Sequence, residues 1–245
     1  MTETKTRTAI VTGGSRGIGA AISRRLAADG FAVVVNYAGN ARAAGDVVRA
    51  IETAGGKALA VQGDVSDSAA VRALFDAAEQ AFGGIDVLVN CAGILPTAPI
   101  GEATDEAFDR VVAVNLKGTF NGLREAAKRM RDGGRIISFS TTVVGTKLEN
   151  YGLYTATKAA VEALTGILAK EMRGRNIAVN AVAPGPVGTD LLADRPPEVL
   201  AMFAKAAPME RLGTPGDIAG VVAFLAGPDG GWVNGQTIRA NGGIV

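Results

Sequence analysis

Short apolar runs alternate with amphipathic segments along nearly the whole chain, and this alternation limits the fold more than any other feature. Each run has the length and the continuous apolar character of a strand buried on both faces. The seven runs cover residues 8–13, 31–36, 58–63, 85–90, 135–140, 177–184 and 237–241. The segments between them have apolar residues three or four positions apart, as in Ile18, Ile22 and Leu26. This order predicts an α/β fold, a doubly wound parallel sheet of about seven strands with helices on both faces.

The same pattern indicates how many domains the chain forms. No internal repeat, low-complexity tract or linker interrupts it, so residues 1–245 are predicted to be a single domain. Residues 185–213 depart from the pattern, with four prolines and an apolar middle part. An insertion of this length after a strand is usually a lid or a binding loop. We therefore expect a substrate loop at about residues 188–212.

The stretch "TAIVTGGSRGIGAAISRRLA" (residues 8–27) fits two kinds of site. Its G-x-S-x-G pattern, centred on Ser15, is typical of a hydrolase nucleophile. The chain has no His, however, so Ser15 lacks the imidazole that would take its proton. Glycines between a strand and a helix also form phosphate-binding loops, because backbone N–H groups and the positive end of the helix face the ligand. The sequence therefore favours phosphate binding by Gly13, Gly17 and Gly19.

Composition excludes several other classes of function. With a single cysteine, Cys91, and no His, neither a zinc site nor a disulfide framework is expected, and we predict no metal. The net charge of +1 and the lack of a basic cluster argue against nucleic-acid binding. No signal peptide and no run of about 20 apolar residues is present, so no membrane association is predicted. We expect a cytoplasmic protein in which Cys91 is a buried packing residue.

Several motifs, taken together, resemble those of the classical short-chain dehydrogenase/reductase family. They are "TGGSRGIG" (12–19), "NCAG" (90–93), Asn115 within "AVNLKG", "YTATK" (154–158), "PGPVGTD" (184–190) and "VNG…ANGG" (233–243). The order and spacing match the family over nearly the whole chain, with 3-oxoacyl-acyl-carrier-protein-reductase-like members the most similar. The resemblance implies a Rossmann-type fold and an NAD(P)-dependent oxidoreductase acting on CH–OH or C=O groups.

Tyr154 and Lys158 are four residues apart at the start of a predicted helix, so both side chains lie on one face. A phenol has a pKa near 10, too high for ready proton exchange at neutral pH. A neighbouring ammonium, together with an oxidised nicotinamide, favours the phenolate and lowers that pKa. By resemblance, Tyr154 is the general acid/base, and Lys158 also binds the ribose of the nicotinamide. Asn115 resembles the residue that anchors a water in the proton path.

The family places a Ser about thirteen positions before the catalytic Tyr, and here that position is Thr141. A Thr hydroxyl has the same hydrogen-bonding capacity as Ser, so it can still orient a carbonyl oxygen. Its methyl group narrows the choice of rotamer and crowds the site. Ser140, one residue earlier, is the alternative. We therefore predict a catalytic group of Tyr154, Lys158, Asn115 and Thr141, with Ser140 as the alternative to Thr141.

The resemblance also implies a set of cofactor-binding residues. They are Gly13, Ser15, Arg16, Gly17, Ile18, Gly19, Asn36, Tyr37, Asp64, Val65, Asn90, Ala92, Gly93, Tyr154, Lys158, Pro184, Gly185, Val187 and Thr189. Asp64 and Val65 resemble the pair lining the adenine site, whereas Asn90, Ala92 and Gly93 would support the cofactor and the central sheet.

The end of the second strand predicts which nicotinamide is bound. An acidic residue there would hydrogen-bond the adenosine ribose and favour NAD. Asn36 and Tyr37 are uncharged, so nothing at this position repels a 2′-phosphate. Arg16 supplies a cation close by, and Arg42 is a second candidate; guanidinium groups bind phosphate through paired hydrogen bonds. We predict NADP(H) rather than NAD(H).

The expected activity is hydride transfer between NADPH and a ketone, with 3-oxoacyl thioesters among the candidate substrates. The predicted pocket rim comprises Ile94, Leu95, Val143, Lys147, Leu148, Tyr151 and the 188–212 loop. Oxidation of an alcohol with NAD and a nicotinamide-binding regulator without catalysis are the alternatives. Family resemblance and the Ala-rich helix after Tyr154 imply a homo-oligomer, a tetramer or a dimer.

Overall fold

The computed structural model describes residues 6–245 and contains the predicted alternation of strands and helices. The first five residues of the predicted domain lie outside the described residues. The strands are β1 (Thr8–Thr12), β2 (Ala32–Tyr37), β3 (Lys57–Gln62), β4 (Ile85–Asn90), β5 (Met130–Phe139), β6 (Ala178–Pro184) and β7 (Thr237–Ala240). The helices are α1 (Gly17–Ala28), α2 (Ala41–Thr53), α3 (Ser68–Phe82), α4 (Asp105–Val111), α5 (Gly118–Arg129), α6 (Val143–Thr146), α7 (Gly152–Glu171), α8 (Pro197–Ala206) and α9 (Pro215–Ala226).

The seven strands form one parallel sheet in the order β3-β2-β1-β4-β5-β6-β7. The chain winds outward in one direction from β1 to β3 and then returns to start again at β4, on the other side of β1. In sheets of this kind, ligands bind at the carboxyl ends of the strands where the order reverses. The predicted fold class is confirmed, and the topology places a ligand site beside the ends of β1 and β4.

Two hydrophobic cores lie on opposite faces of the sheet, because successive strand residues point in opposite directions. Val11 packs with Ile22 in the core formed with α1, α2 and α9. Its neighbour Ile10 packs with Leu74 in the core formed with α3, α5 and α7. The helices therefore cover both faces, as predicted.

β5 is the strand whose start was predicted least well. It begins at Met130, five residues before the apolar run at 135–140. Residues 131–134 are polar or glycine, and the pairing of β4 with β5 shifts register between Ile85 and Val87. The apolar run therefore marks only the second half of β5 and misses the buried Met130 at its start.

Residues 185–213 contain a short 3₁₀ turn (Asp190–Leu192) followed by α8. Pro197 begins α8, where its missing N–H has no intrahelical partner to lose. None of the helices within residues 6–245 is long and apolar enough to cross a membrane.

Candidate active site

A cavity of about 930 Å³ lies at the carboxyl ends of the strands. Its volume is at the upper end of the range for ligand sites, as expected of a site for a cofactor together with a substrate. All the predicted cofactor-binding residues except Asn90 line it, as do Thr141 and Ser140. Asn115 does not. The structure thus brings together most of the residues selected from the sequence.

The glycine loop has no room for a side chain at Gly13 or Gly19. Gly13 and Gly17 have φ values of +63° and +51°, in the left-handed region that favours glycine. A Cβ on Gly19 would lie 2.2 Å from the carbonyl oxygen of Gly13. Arg16 is the N-cap of α1 and makes no side-chain capping bond, so the first N–H groups of α1 have no acceptor from that residue. These features fit a bound pyrophosphate, with the backbone of residues 13–19 as its cradle.

Asn36 closes this part of the cavity without adding charge. It is 2% exposed, and its amide donates to the carbonyl oxygens of Val61 (3.3 Å) and Gly63 (3.0 Å). Its Oδ1 accepts a bond from the backbone N–H of Gly13 at 3.4 Å. The exposed Arg16 lines the cavity, whereas Arg42, the second candidate cation, does not.

Asp64 lies at the predicted adenine site and is paired there with Arg110, a residue that was not predicted from the sequence. Its carboxylate accepts bonds from the backbone N–H (2.9 Å) and hydroxyl (2.7 Å) of Ser66, and the backbone bond is the main cause of its lowered pKa. Arg110 lines the cavity and contacts the Asp64 carboxylate at 3.3 Å. Arg110 belongs to none of the motifs. Its charge is complementary to that of Asp64, but the two residues are far apart in the sequence, so the pairing could not be predicted.

The stretch after β4 is fixed to the end of β1. The Thr12 hydroxyl accepts bonds from the backbone N–H groups of Cys91 (3.1 Å) and Ala92 (3.2 Å). Asn90 is buried behind the cavity wall and donates to the Ser138 hydroxyl at 3.2 Å. The contacts of Asn90 support the sheet, whereas residues 91–93 line the cavity, and a direct contact of Asn90 with the cofactor stays a prediction.

The thiol of Cys91 is held in its protonated form. Cys91 is partly buried and packs against the α1-side core. Loss of solvation raises the pKa of the thiol to about 12, although the nearby Lys158 acts in the opposite direction. Because the thiolate is the reactive species, the raised pKa is consistent with the predicted packing role of Cys91.

Residues after β6 complete the cofactor side of the cavity. Pro184 ends the strand, and Thr189 approaches the glycine loop closely enough that a Cβ on Gly17 would lie 3.4 Å from its methyl group. Val187 is buried and pairs with Gly213 across the base of the substrate loop. The loop therefore begins against the phosphate cradle.

Tyr154 and Lys158 lie on α7 and both line the cavity. Lys158 is 3% exposed, and its Nζ donates to the carbonyl oxygen of Phe139 at 2.7 Å. The Nζ lies 5.8 Å from the centre of the Tyr154 ring. Burial lowers the pKa of Lys158 to about 8. An ammonium has three donors, so two remain after the bond to Phe139.

Burial determines the pKa of Tyr154 in the protein without a cofactor. Loss of solvation raises this pKa to about 12, and the Thr141 side chain only partly opposes the rise. Tyr154 is consequently a protonated donor at neutral pH. That Lys158 and an oxidised nicotinamide together lower the pKa stays a prediction.

The hydroxyls of Thr141 and Ser140 have different partners. The Thr141 side chain acts on the Tyr154 phenol by lowering its pKa, and its Oγ1 accepts a bond from the backbone N–H of Val143 at 3.3 Å. The Ser140 hydroxyl donates instead to the Glu162 carboxylate at 2.5 Å. The structure therefore favours Thr141 as the hydroxyl available beside Tyr154.

Replacement of Thr141 by Ala is expected to lower kcat for carbonyl reduction by about 10–100-fold, the equivalent of one hydrogen bond to a developing charge. Ser140→Ala, which removes a bond directed away from Tyr154, should cost less than about threefold. Thr141→Ser keeps the hydroxyl and should retain most of the activity. Steady-state kinetics of the three variants test this, and equal, mild losses in Thr141→Ala and Ser140→Ala would contradict it.

Asn115 lies in a π-helical turn (Val112–Lys117) between α4 and α5, a type of distortion often found at functional sites. Its amide donates to the carbonyl oxygen of Ile94 and accepts from the Ile94 N–H, both at 2.9 Å. The Thr119 hydroxyl donates to its backbone carbonyl at 2.8 Å. Asn115 thus fixes the backbone beside the cavity, and its predicted role in anchoring a water stays a prediction.

The part of the cavity beyond Tyr154 is apolar. It is lined by Ile94, Leu95, Val143, Leu148, Tyr151, Leu191, Leu192, Met202, Phe203, Ala206 and Ile244. Lys147, which was predicted at this rim, does not line the cavity: it is exposed, and its Nζ donates to the carbonyl oxygen of Val144 at 3.4 Å. The substrate loop contributes mostly apolar residues, with Asp190 as its one charged residue on the cavity wall among the described residues, so this end suits an uncharged group.

Comparison with known proteins gives concordant results. A profile of the family described as Enoyl-(Acyl carrier protein) reductase matches residues 13–245. NADPH-dependent aldehyde reductase 2, chloroplastic, of Arabidopsis thaliana is 45% identical over 98% of this chain and 94% of its own. Among solved structures, a dehydrogenase/reductase from Sinorhizobium meliloti has a TM-score of 0.94 at 42% identity, covering 97% of this chain and 94% of that one. A short chain dehydrogenase from Burkholderia cenocepacia in complex with NADP has a TM-score of 0.92 at 37% identity, covering 97% of both chains.

Proposed function

The chain belongs to the classical short-chain dehydrogenase/reductase family of NAD(P)-dependent oxidoreductases, and on this basis we propose that it is an NADPH-dependent carbonyl reductase with Tyr154 as its general acid. The observation that carries the proposal is that Tyr154, Lys158 and Thr141 line one cavity together with the glycine loop, with the Lys158 Nζ 5.8 Å from the centre of the Tyr154 ring. The substrate is an uncharged ketone or aldehyde, since among residues 6–245 no Lys or Arg joins the apolar side chains that line the wall beyond Tyr154.

The cofactor is NADP(H), as the sequence predicts, and the relatives named for NADPH and NADP support this. The chain fits such a group through the glycine cradle, the neutral Asn36 and the exposed Arg16 on the cavity wall. Residues 13–19 hold the pyrophosphate, Arg16 the 2′-phosphate, and Lys158 the nicotinamide ribose. When bound, NADPH supplies the hydride that adds to the carbonyl carbon.

The residues of this chain supply the proton and the orientation. Tyr154 donates its phenolic proton to the carbonyl oxygen, so the product is an alcohol and the residue becomes a phenolate. The Thr141 hydroxyl donates to the same oxygen and orients it. The Lys158 ammonium, 5.8 Å from the centre of the Tyr154 ring, stabilises the charge of the phenolate, because a charge in a poorly solvated site interacts more strongly than it would in water.

NADPH oxidation tests the proposed function when it is followed at 340 nm against a panel of carbonyl compounds. The panel should contain uncharged ketones, uncharged aldehydes and 3-oxoacyl thioesters, because the last are the substrates implied by the most similar family members. We expect turnover of uncharged ketones or aldehydes. NADPH binding without turnover of any carbonyl would contradict the proposal and favour a nicotinamide-binding regulator.

Removal of the guanidinium in Arg16→Ala is expected to lower kcat/KM for NADPH by about 10–100-fold, the effect of losing a hydrogen bond to a charged group. The value for NADH should change by less than about threefold, because NADH lacks the 2′-phosphate. Arg42→Ala is the matched control, since Arg42 is an exposed Arg that does not line the cavity. Equal losses for the two cofactors would contradict the role of Arg16.

We also propose that the protein is a cytoplasmic homo-oligomer, a tetramer or a dimer. The exposed side of α7 supports the assembly, because Ala156, Ala159, Ala163 and Ile167 recur there at helical spacing, and Ile167 is 56% exposed. Small residues allow two helices to approach closely. Light scattering of the purified protein would show a monomer if this is wrong, and cell fractionation tests the location.

A further inference from the structure

The segment formed by residues 241–245 lies at the same edge of the sheet as the active site. It follows β7, which pairs in parallel with β6 so that Ala240 lies opposite Pro184. Parallel strands end at one edge, and the chain therefore leaves β7 beside the cavity. The family motif covers residues 233–243 and says nothing about the side chain at 244.

Polar contacts hold the 241–245 segment in place on two sides. The Asn241 side-chain amide donates to the Thr142 hydroxyl at 3.1 Å, and its Oδ1 accepts from the Gly243 N–H at 3.0 Å. On the other side, the Met209 N–H donates to the carbonyl oxygen of Gly242 at 3.3 Å. The segment is thus tied both to the loop after β5 and to the end of the substrate loop.

Close packing restricts the segment further. Gly242 and Gly243 have φ values of +68° and +95°, and a Cβ on Gly243 would lie 3.1 Å from the Pro208 ring. Val245 packs beside α6, where a Cβ on Gly145 would lie 3.1 Å from its methyl group. These contacts place Ile244 between the end of the substrate loop and α6, and Ile244 lines the cavity there.

We infer that Ile244 is a specificity-determining residue that forms the side wall of the substrate end and limits the size of the apolar group carried by the carbonyl. The inference rests on the proposed function, since it concerns the substrate of the same site. The wall is rigid, because both of its neighbours in the sequence are packed against other parts of the chain. A branched side chain held in this way excludes a bulky group and contacts a smaller one.

Two ketones of the same ring size, cyclohexanone and 4-tert-butylcyclohexanone, test this with Ile244→Ala and Ile244→Phe. We expect Ile244→Ala to raise the ratio of kcat/KM for the bulky ketone to that for the small ketone by about tenfold, and Ile244→Phe to lower it, because even one methylene group in an apolar pocket changes specificity by about 10–200-fold. Val245→Ala, which alters the neighbour that does not line the cavity, should leave the ratio unchanged. The Kd for NADPH should be the same in all four proteins.

An unchanged ratio in both Ile244 variants, or the same shift in Val245→Ala, would overturn the inference. Failure of the proposed function is a different result, in which neither the wild type nor any variant oxidises NADPH with either ketone. In that case, calorimetric titration of 4-tert-butylcyclohexanone into the NADPH-loaded proteins tests whether Ile244 limits the size of the bound ketone. Tighter binding to Ile244→Ala than to the wild type supports it, and equal binding refutes it.

Discussion

Tyr154→Phe is expected to lower kcat for carbonyl reduction by about 10²–10⁴-fold, the contribution typical of a positioned general acid. The substitution removes only the phenolic oxygen, so packing of the ring and the fold should be preserved. The pKa of about 12 means that wild-type Tyr154 carries its proton throughout the neutral range. Phe has no proton to give, and the alkoxide that forms on the substrate would have to take one from water.

Tyr151→Phe is the matched control for this experiment. Tyr151 is also an aromatic residue that lines the cavity, and it immediately precedes α7. Its loss of a hydroxyl should change kcat by less than about threefold, and both variants should bind NADPH with wild-type affinity. Retention of near wild-type reduction by Tyr154→Phe would remove the central step of the proposed mechanism.

The fold could be predicted from the sequence because local pattern and tertiary burial agree in this chain. Buried parallel strands need continuous apolar runs, and six of the seven observed strands begin and end within one residue of such a run. β5 begins earlier because Met130 pairs with Ile85 of β4, and residues 131–134, which are polar or glycine, separate it from the apolar run. Backbone pairing of that kind leaves no trace in the hydrophobic pattern.

The positions of the site residues could be predicted where they belong to a motif that faces the cavity. Properties that depend on burial, such as pKa values, could be predicted less well. The glycine loop, Thr141 and Tyr154 were placed correctly along the cavity wall. The raised pKa of Tyr154 in the protein without a cofactor could not be predicted, because spacing gives the distance to Lys158 but not the loss of solvation around the phenol. Ile244 was missed, since it reaches the cavity through a glycine turn that no periodicity reveals.

Gly19→Ala is expected to weaken NADPH binding by more than about 10²-fold. The added Cβ would lie 2.2 Å from the carbonyl oxygen of Gly13 and 3.1 Å from the Cα of Gly14. Both are backbone atoms, which cannot turn aside as a flexible side chain can, so the loop itself has to move. Loss of one or two hydrogen bonds from the loop to the pyrophosphate, at about 1.5–3 kcal/mol each, accounts for the expected change. Overpacking should also destabilise the fold by about 1–3 kcal/mol.

Gly45→Ala separates this steric effect from the general effect of adding a methyl group to a helical glycine. Gly45 lies in α2, away from the cavity, and its nearest neighbour would be the flexible side chain of Arg49 at 3.5 Å. The substitution should leave the Kd for NADPH unchanged and stabilise the fold by up to about 1 kcal/mol, because Ala is the better helix former. Fluorescence titration with NADPH and thermal unfolding of both variants measure the two effects. Wild-type NADPH affinity in Gly19→Ala would mean that the backbone of residues 13–19 is not the phosphate cradle, since that loop cannot accept the methyl group and keep its shape.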